Sequence, residues 1–164
     1  MKNVYFIRHA KSSWENSSLS DIERPLNKRG LRDAPFMAKM LKNKNAQPDL
    51  IISSPANRAL TTAKFFATEM NLSDEKIAIK NIIYGAYPED VLGLIKKLDD
   101  TINTILVFGH NPTFTSLVNR FTEDYIANVP TCGIVKVTAD INSWSKFGKA
   151  NTMLTEFYYP KQYF

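Results

Sequence analysis

The stretch Val4-Tyr5-Phe6-Ile7-Arg8-His9-Ala10-Lys11 joins an unbroken apolar run to two cationic side chains and an imidazole. A strand buried on both faces of a parallel sheet reads as such a run, and open α/β sheets bind ligands in the crevice beyond the carboxyl ends of their strands. The stretch therefore predicts a central strand, with Arg8 and His9 emerging into that crevice. A second stretch, Leu106-Val107-Phe108-Gly109-His110-Asn111-Pro112, repeats the pattern of apolar strand followed by histidine. Here Asn111 is expected as the N-cap and Pro112 as the first residue of a helix running toward Phe121. A helix start carries partial positive charge and unpaired N–H groups, so His110 is expected beside an anion site. In the third stretch, Leu50 to Arg58, Ser54 is the expected N-cap, Pro55 the first helical residue and Arg58 a member of the first turn. With Arg8 it forms a candidate anion clamp, because guanidinium donors match oxyanions bidentately and keep their charge.

Outward from these three strand ends the chain alternates strand and helix. Strands are expected near 2–8, 48–53, 77–83, 103–109, 133–139 and 153–159, and helices near 27–44, 55–71, 88–99 and 112–123. This βαβ series predicts a single-domain, three-layer α/β/α sandwich over residues 1–164. Its six-stranded sheet is mostly parallel, with the last two strands as an antiparallel edge. Pro35 should kink the first helix or mark its true start. Phe36, Met37, Met40 and Leu41, and likewise Leu60, Ala63, Phe66 and Ala67, recur at helical spacing and are expected to face the core.

With 164 residues, 44% of them hydrophobic, the chain is sized for one core. The net charge of +5 favours anionic partners without selecting among them. The lysines are scattered: Lys39, Lys42 and Lys44 belong to the exposed end of a helix, and no basic run interleaved with aromatics predicts a nucleic-acid groove. Cys132 is the sole cysteine, which excludes an intramolecular disulfide and suits a core position. Two histidines far apart in the chain, with no local ligand spacing, give no expectation of a metal or other cofactor. Only Val4 to Ile7 are consecutively apolar near the N-terminus, too short for a signal peptide or a membrane span, so a cytoplasmic protein is expected.

The ordered set Arg8-His9-Ala10-Lys11-Ser12-Ser13-Trp14, Asp21-Ile22-Glu23-Arg24-Pro25-Leu26 with Gly30, Ser53-Ser54-Pro55 with Arg58 and Thr61-Ala63 beyond, and Gly109-His110-Asn111-Pro112 spans most of the chain. It resembles the histidine phosphatase superfamily, the phosphoglycerate-mutase-like phosphatases, and within it the short SixA-like phosphohistidine phosphatases. The resemblance implies that His9 is the phosphorylated nucleophile and that Arg8, Arg58 and His110 bind the phosphoryl group. It also implies a metal-independent hydrolase acting on a phosphorylated protein or a small phosphorylated substrate.

Two loops complete the reading. The polar segment Lys11 to Asn27 begins directly after His9 and is expected to wall the crevice, with Lys11 and Ser12 near enough to touch a bound phosphate and Trp14 packing the loop down. Asn111 is a further candidate substrate contact. Asp21 is expected to pair with Arg24 and fix the loop, and is one of two candidates for proton donor. The other is Glu89, in a region, Ile82 to Glu89, that lacks the carboxylate carried there by relatives acting on phosphate esters; after Pro88 it is expected in the first turn of a helix. A phosphoramidate nitrogen leaves readily once protonated, so a weak acid suits phosphohistidine better than an ester. Hydrolysis of phosphohistidine, hydrolysis of small phosphate esters and phosphate binding without turnover are the three functions in competition. The aromatic tail Phe157 to Phe164 is expected to cap the core edge or form an association surface.

Overall fold

The computed structural model describes residues 1–164. Strands β1 (Lys2–Arg8), β2 (Leu50–Ser53), β3 (Ile77–Ile79), β4 (Thr104–Gly109), β5 (Ile134–Ala139) and β6 (Thr152–Tyr158) form one sheet in the order β3-β2-β4-β1-β5-β6. The first four in that order run parallel, while β5 is antiparallel to both β1 and β6. The helices are α1 (Lys28–Asn43), α2 (Asn57–Glu69), α3 (Pro88–Lys96) and α4 (Thr113–Val118).

Alternation along the strands divides the core in two. Val4, Phe6, Val107 and Val135 point to one face, where Val91, Ile95, Phe114 and Leu117 of α3 and α4 cover them. Tyr5, Ile7, Leu106 and Ile134 point to the other, covered by Met37 and Leu41 of α1 and by Ala63 and Phe66 of α2. Successive side chains on a strand face opposite ways, so β1 and β4 supply both layers. The two strands are neighbours, yet the helix after β1 lies on one face and the helix after β4 on the other. This is the topological switch point at which open α/β sheets make their crevice.

Several local expectations are corrected. The third strand stops at Ile79, because Asn81–Ile83 turn in a short 3-10 helix that buries Ile83, and Gly85 follows with φ of 75°. α1 continues through Pro35, whose missing N–H leaves the carbonyl of Leu31, four residues earlier, without its helical donor. Phe36 turns away from the sheet and packs on Tyr163 and Phe164 of the tail. Leu60 is only half-buried, its expected core place taken by Ala59. α2 starts at Asn57 with Ala56 as N-cap, so neither Ser54 nor Pro55 has the predicted place. α4 starts at Thr113 and passes at Val118 into a 3-10 turn reaching Phe121. No helix is long and apolar enough to cross a membrane.

Candidate active site

The register Arg8↔Gly109 sets the ends of β1 and β4 side by side, and the His9 N–H extends the pairing to the Gly109 carbonyl at 3.1 Å. The two imidazoles that follow stand with ring centroids 5.2 Å apart. Gly109 is required here, because a Cβ at that position would lie 2.6 Å from the Phe114 ring.

His9 is buried, and its Nδ1 lies 2.7 Å from the Ala10 carbonyl. A carbonyl only accepts, so in the neutral ring the proton sits on Nδ1 and the Nε2 lone pair is free. Burial pushes the His9 pKa down to about 3, with His110, Arg58 and Arg8 adding to the effect. His110 Nε2 lies 2.7 Å from Ser54 Oγ, and burial together with Arg58 lowers its pKa to about 4. Ser54 Oγ also accepts from the Ala56 N–H at 3.2 Å. In the tautomer where Ser54 donates its own hydrogen to His110 Nε2, the His110 proton is on Nδ1.

Both arginines are anchored by the tips of their side chains. Arg8 Nη1 donates to the Val129 carbonyl at 3.0 Å. Arg58 donates from Nη1 to the Asp21 carbonyl at 2.7 Å and from Nη2 to the Asp21 carboxylate at 3.0 Å. Thr62 secures this arrangement from below, donating to the Arg58 carbonyl at 2.7 Å and accepting from the Ala10 N–H at 3.0 Å. Three buried side-chain nitrogens have no protein partner: Arg8 Nε, Arg58 Nε and His110 Nδ1. Buried polar groups are almost always bonded, so three such donors beside a free imidazole nitrogen make an anion receptor the economical explanation.

The predicted Asp21–Arg24 pair is present at 3.1 Å. Asp21 does more than tie its own loop, since it also receives Arg58 and the Tyr84 hydroxyl at 2.6 Å. The Tyr84 hydrogen bond, with Arg58 and Arg24, holds the Asp21 carboxyl well below the usual carboxylate range. The Tyr84 ring stands edge-on to His110, centroids 5.7 Å apart. Trp14 is exposed and lies under the Arg24 guanidinium at 3.5 Å, packing the loop as expected.

Other candidates are engaged elsewhere. Ser12 accepts from Arg24 Nη1 at 2.8 Å. Lys11 is half-buried, and its backbone carbonyl accepts the Asn27 N–H at the entry to α1. The amide of Asn111 donates to Asn128 and to the Val129 carbonyl, both at 3.0 Å, and its oxygen accepts from Thr115. Asn111 thus braces the segment that holds Arg8, and its bonding capacity is spent there. Glu89 is in the first turn of α3 as predicted, but its carboxylate is held by Arg120 on the exposed surface.

Ser54, Thr62, Tyr84 and the Val129 carbonyl all shape the site without having been singled out for it. Only Ser54 carried a sequence signal, as an expected helix cap and as part of the Ser53-Ser54-Pro55 motif, and neither gave it a role toward His110.

Residues 4–87 match the family model of the histidine phosphatase superfamily (branch 1), and the chain belongs to that superfamily. Within it the chain is SixA-like. The crystal structure of an Agrobacterium tumefaciens protein provisionally named the phosphohistidine phosphatase SixA is 27% identical with a TM-score of 0.82, covering 97% of this chain and 98% of that one. A SixA protein histidine phosphatase solved with tungstate shares the fold at 22% identity and a TM-score of 0.80, covering 94% of this chain and 95% of that one. Among curated sequences, a chloroplastic protein of Arabidopsis thaliana is 29% identical over 88% of this chain and 70% of its own length. A Mycobacterium tuberculosis protein is 32% identical over 68% of this chain and 66% of its own length.

Proposed function

We propose that the protein is a phosphohistidine phosphatase that works through a covalent phosphohistidine on His9. The observation that carries this reading is the set of three buried, unpartnered donors around an imidazole whose proton is fixed on the far nitrogen. His9 Nε2 attacks phosphorus in line with the leaving nitrogen, the bond from phosphorus to that nitrogen breaks, and the bonding pair departs with a neutral imidazole whose other ring nitrogen already carries the proton. Water then attacks the phosphoryl group, the bond to Nε2 breaks, and inorganic phosphate leaves. The phosphoryl transition state spreads negative charge over three equatorial oxygens, so stabilisation falls to Arg8, Arg58 and the His110 Nδ1–H. A depressed His9 pKa keeps the nucleophile unprotonated at neutral pH.

The substrate class follows from the proton inventory. A general acid must hold a proton at working pH, yet Asp21 is kept ionised by Tyr84 and two arginines, and Glu89 is ion-paired to Arg120. Tyr84 holds its proton, but that proton is committed to the Asp21 carboxylate, and the same bond raises its pKa and makes it a weaker donor. An alkoxide leaving group would go unassisted here, whereas a phosphoramidate nitrogen brings its own proton.

The test is a substrate series on the intact protein: a phosphohistidine peptide, phosphoramidate, and alkyl and aryl phosphate esters. Phosphoramidates turned over at least tenfold faster than alkyl esters, with acid-labile phosphate trapped on His9, support the reading. Faster alkyl ester hydrolysis would make the protein a small-molecule phosphatase. Phosphate binding with no trapped intermediate would make it a binding module.

A further inference from the structure

Beyond the histidines, the same sheet edge carries a second feature. Val129 to Cys132 form a strap that leads into β5. On one side Val129 receives Arg8, and the Cys132 N–H bonds the carbonyls of Arg8 and His9, both at 3.0 Å. On its other side the strap walls a cleft of about 260 Å³ between the start of α1 and the tail, lined by Arg29, Arg32, Asp33, Thr131, Lys161 and Phe164. Arg29 reaches across to Thr131 Oγ1 at 3.1 Å, so the cleft and the candidate active site share this one segment as a common wall.

The cleft is cationic. Asp33 is its single acidic side chain, and that group is buried, bonded to Arg32 at 2.8 Å and lying 3.9 Å from Arg29. Against it stand three cationic side chains, Arg29, Arg32 and Lys161, all exposed. Arg32 is also preorganised: its guanidinium lies over the Phe164 ring at 4.0 Å, and that ring packs on Phe36 at 4.7 Å. A cation held in place in the free protein gives up less freedom when it pairs with a ligand. None of these groups serves the phosphoryl site, whose donors are Arg8, Arg58 and His110.

We infer that this cleft is a docking site for acidic side chains flanking the phosphohistidine of a protein substrate, lying across the 129–132 strap from His9. The inference rests on the phosphohistidine reading and extends it to the substrate's surroundings. A ligand seated on His9 and large enough to cross the strap enters a cleft in which Arg29 holds Thr131 of the strap and Arg32 and Lys161 share the lining. Electrostatic complementarity of this kind selects partners and speeds their encounter more than it alters chemistry.

Two peptides test it, each with one phosphohistidine, flanked on both sides by four glutamates or by four glutamines. Binding is read by fluorescence anisotropy and turnover by phosphate release. The wild-type protein should bind the glutamate peptide about fivefold tighter, the size expected of two exposed ion pairs, with the gain in KM and none in kcat. Lys161→Glu should erase that preference and leave phosphoramidate hydrolysis unchanged. Lys161 is exposed, so this reversal does not endanger the fold, and Arg32→Gln should weaken the preference independently. Hydrolysis of both peptides with equal affinity overturns the docking site and leaves the phosphatase reading intact. Tighter binding of the glutamate peptide with no hydrolysis of either overturns the phosphatase reading and leaves the cleft standing. A preference that survives Lys161→Glu and Arg32→Gln assigns the selectivity elsewhere and refutes the cleft.

Discussion

Lowering the pH from 7 to 5 should remove about 4 kcal/mol of folding stability, and the chain is unusually suited to showing it. It contains only two histidines, and both are in the candidate site. In the unfolded chain an imidazole takes its proton near pH 6.5, whereas in the folded protein His9 resists protonation down to about 3 and His110 down to about 4. Between those limits the unfolded state binds more protons, so stability falls as pH falls. At pH 5 each ring has been carried about 1.5 pH units below its unfolded pKa, at about 1.4 kcal/mol per unit, or about 2 kcal/mol for each histidine. The carboxylates held down by hydrogen bonds and ion pairs, Asp21 and Glu89 among them, titrate below this window and leave it clear. Urea unfolding at the two pH values in phosphate-free buffer measures the difference, with His9→Gln and His110→Gln each expected to lose about 2 kcal/mol less than wild type. A wild-type loss below about 1 kcal/mol, or variants losing as much as wild type, would refute the argument that both rings are buried and neutral.

Asp21→Asn keeps the shape of the side chain but removes the charge that holds Arg58 Nη2, and should raise the competitive inhibition constant of inorganic phosphate about tenfold. In an Arg58→Ala background the same substitution should add almost nothing, since a residue acting through another has no separate effect once its partner is gone. His9→Ala should abolish turnover and acid-labile labelling while calorimetry still detects phosphate, because the three donor nitrogens belong to other residues. Gly30→Ala should cost about 2 kcal/mol in denaturant unfolding as overpacking. Its Cβ would lie 2.2 Å from the Lys11 carbonyl oxygen, where α1 passes beneath the start of the loop.

What could be read from the chain were features whose cause is local. Apolar runs placed β1 and β4 to within a residue or two, and the basic and imidazole groups after them necessarily fall at strand ends. Competition for polar groups was not legible. Ser54 and Asn111 are both good helix caps in isolation, but one hydroxyl was taken by an imidazole fifty-six positions away and one amide was drawn mainly to the 128–129 segment. Asp21 was readable as a partner of Arg24, three residues on, and not as the group that also engages Arg58 and Tyr84, because those contacts depend on tertiary closure. The β3 boundary failed for a related reason: Ile82 and Ile83 extend an apolar pattern, yet Ile83 is buried from a turn and not from the ladder.

Cys132 has φ of 59°, and its thiol is fully buried and pushed far up in pKa by that burial. A thiol in that state is inert toward alkylating reagents. The same residue's N–H binds the carbonyls of Arg8 and His9, so an opening that frees its backbone also releases the segment behind the His9 ring. The chain therefore carries its own reporter: under native conditions, the labelling rate of this lone thiol measures how often that corner of the candidate site opens, with no residue substituted.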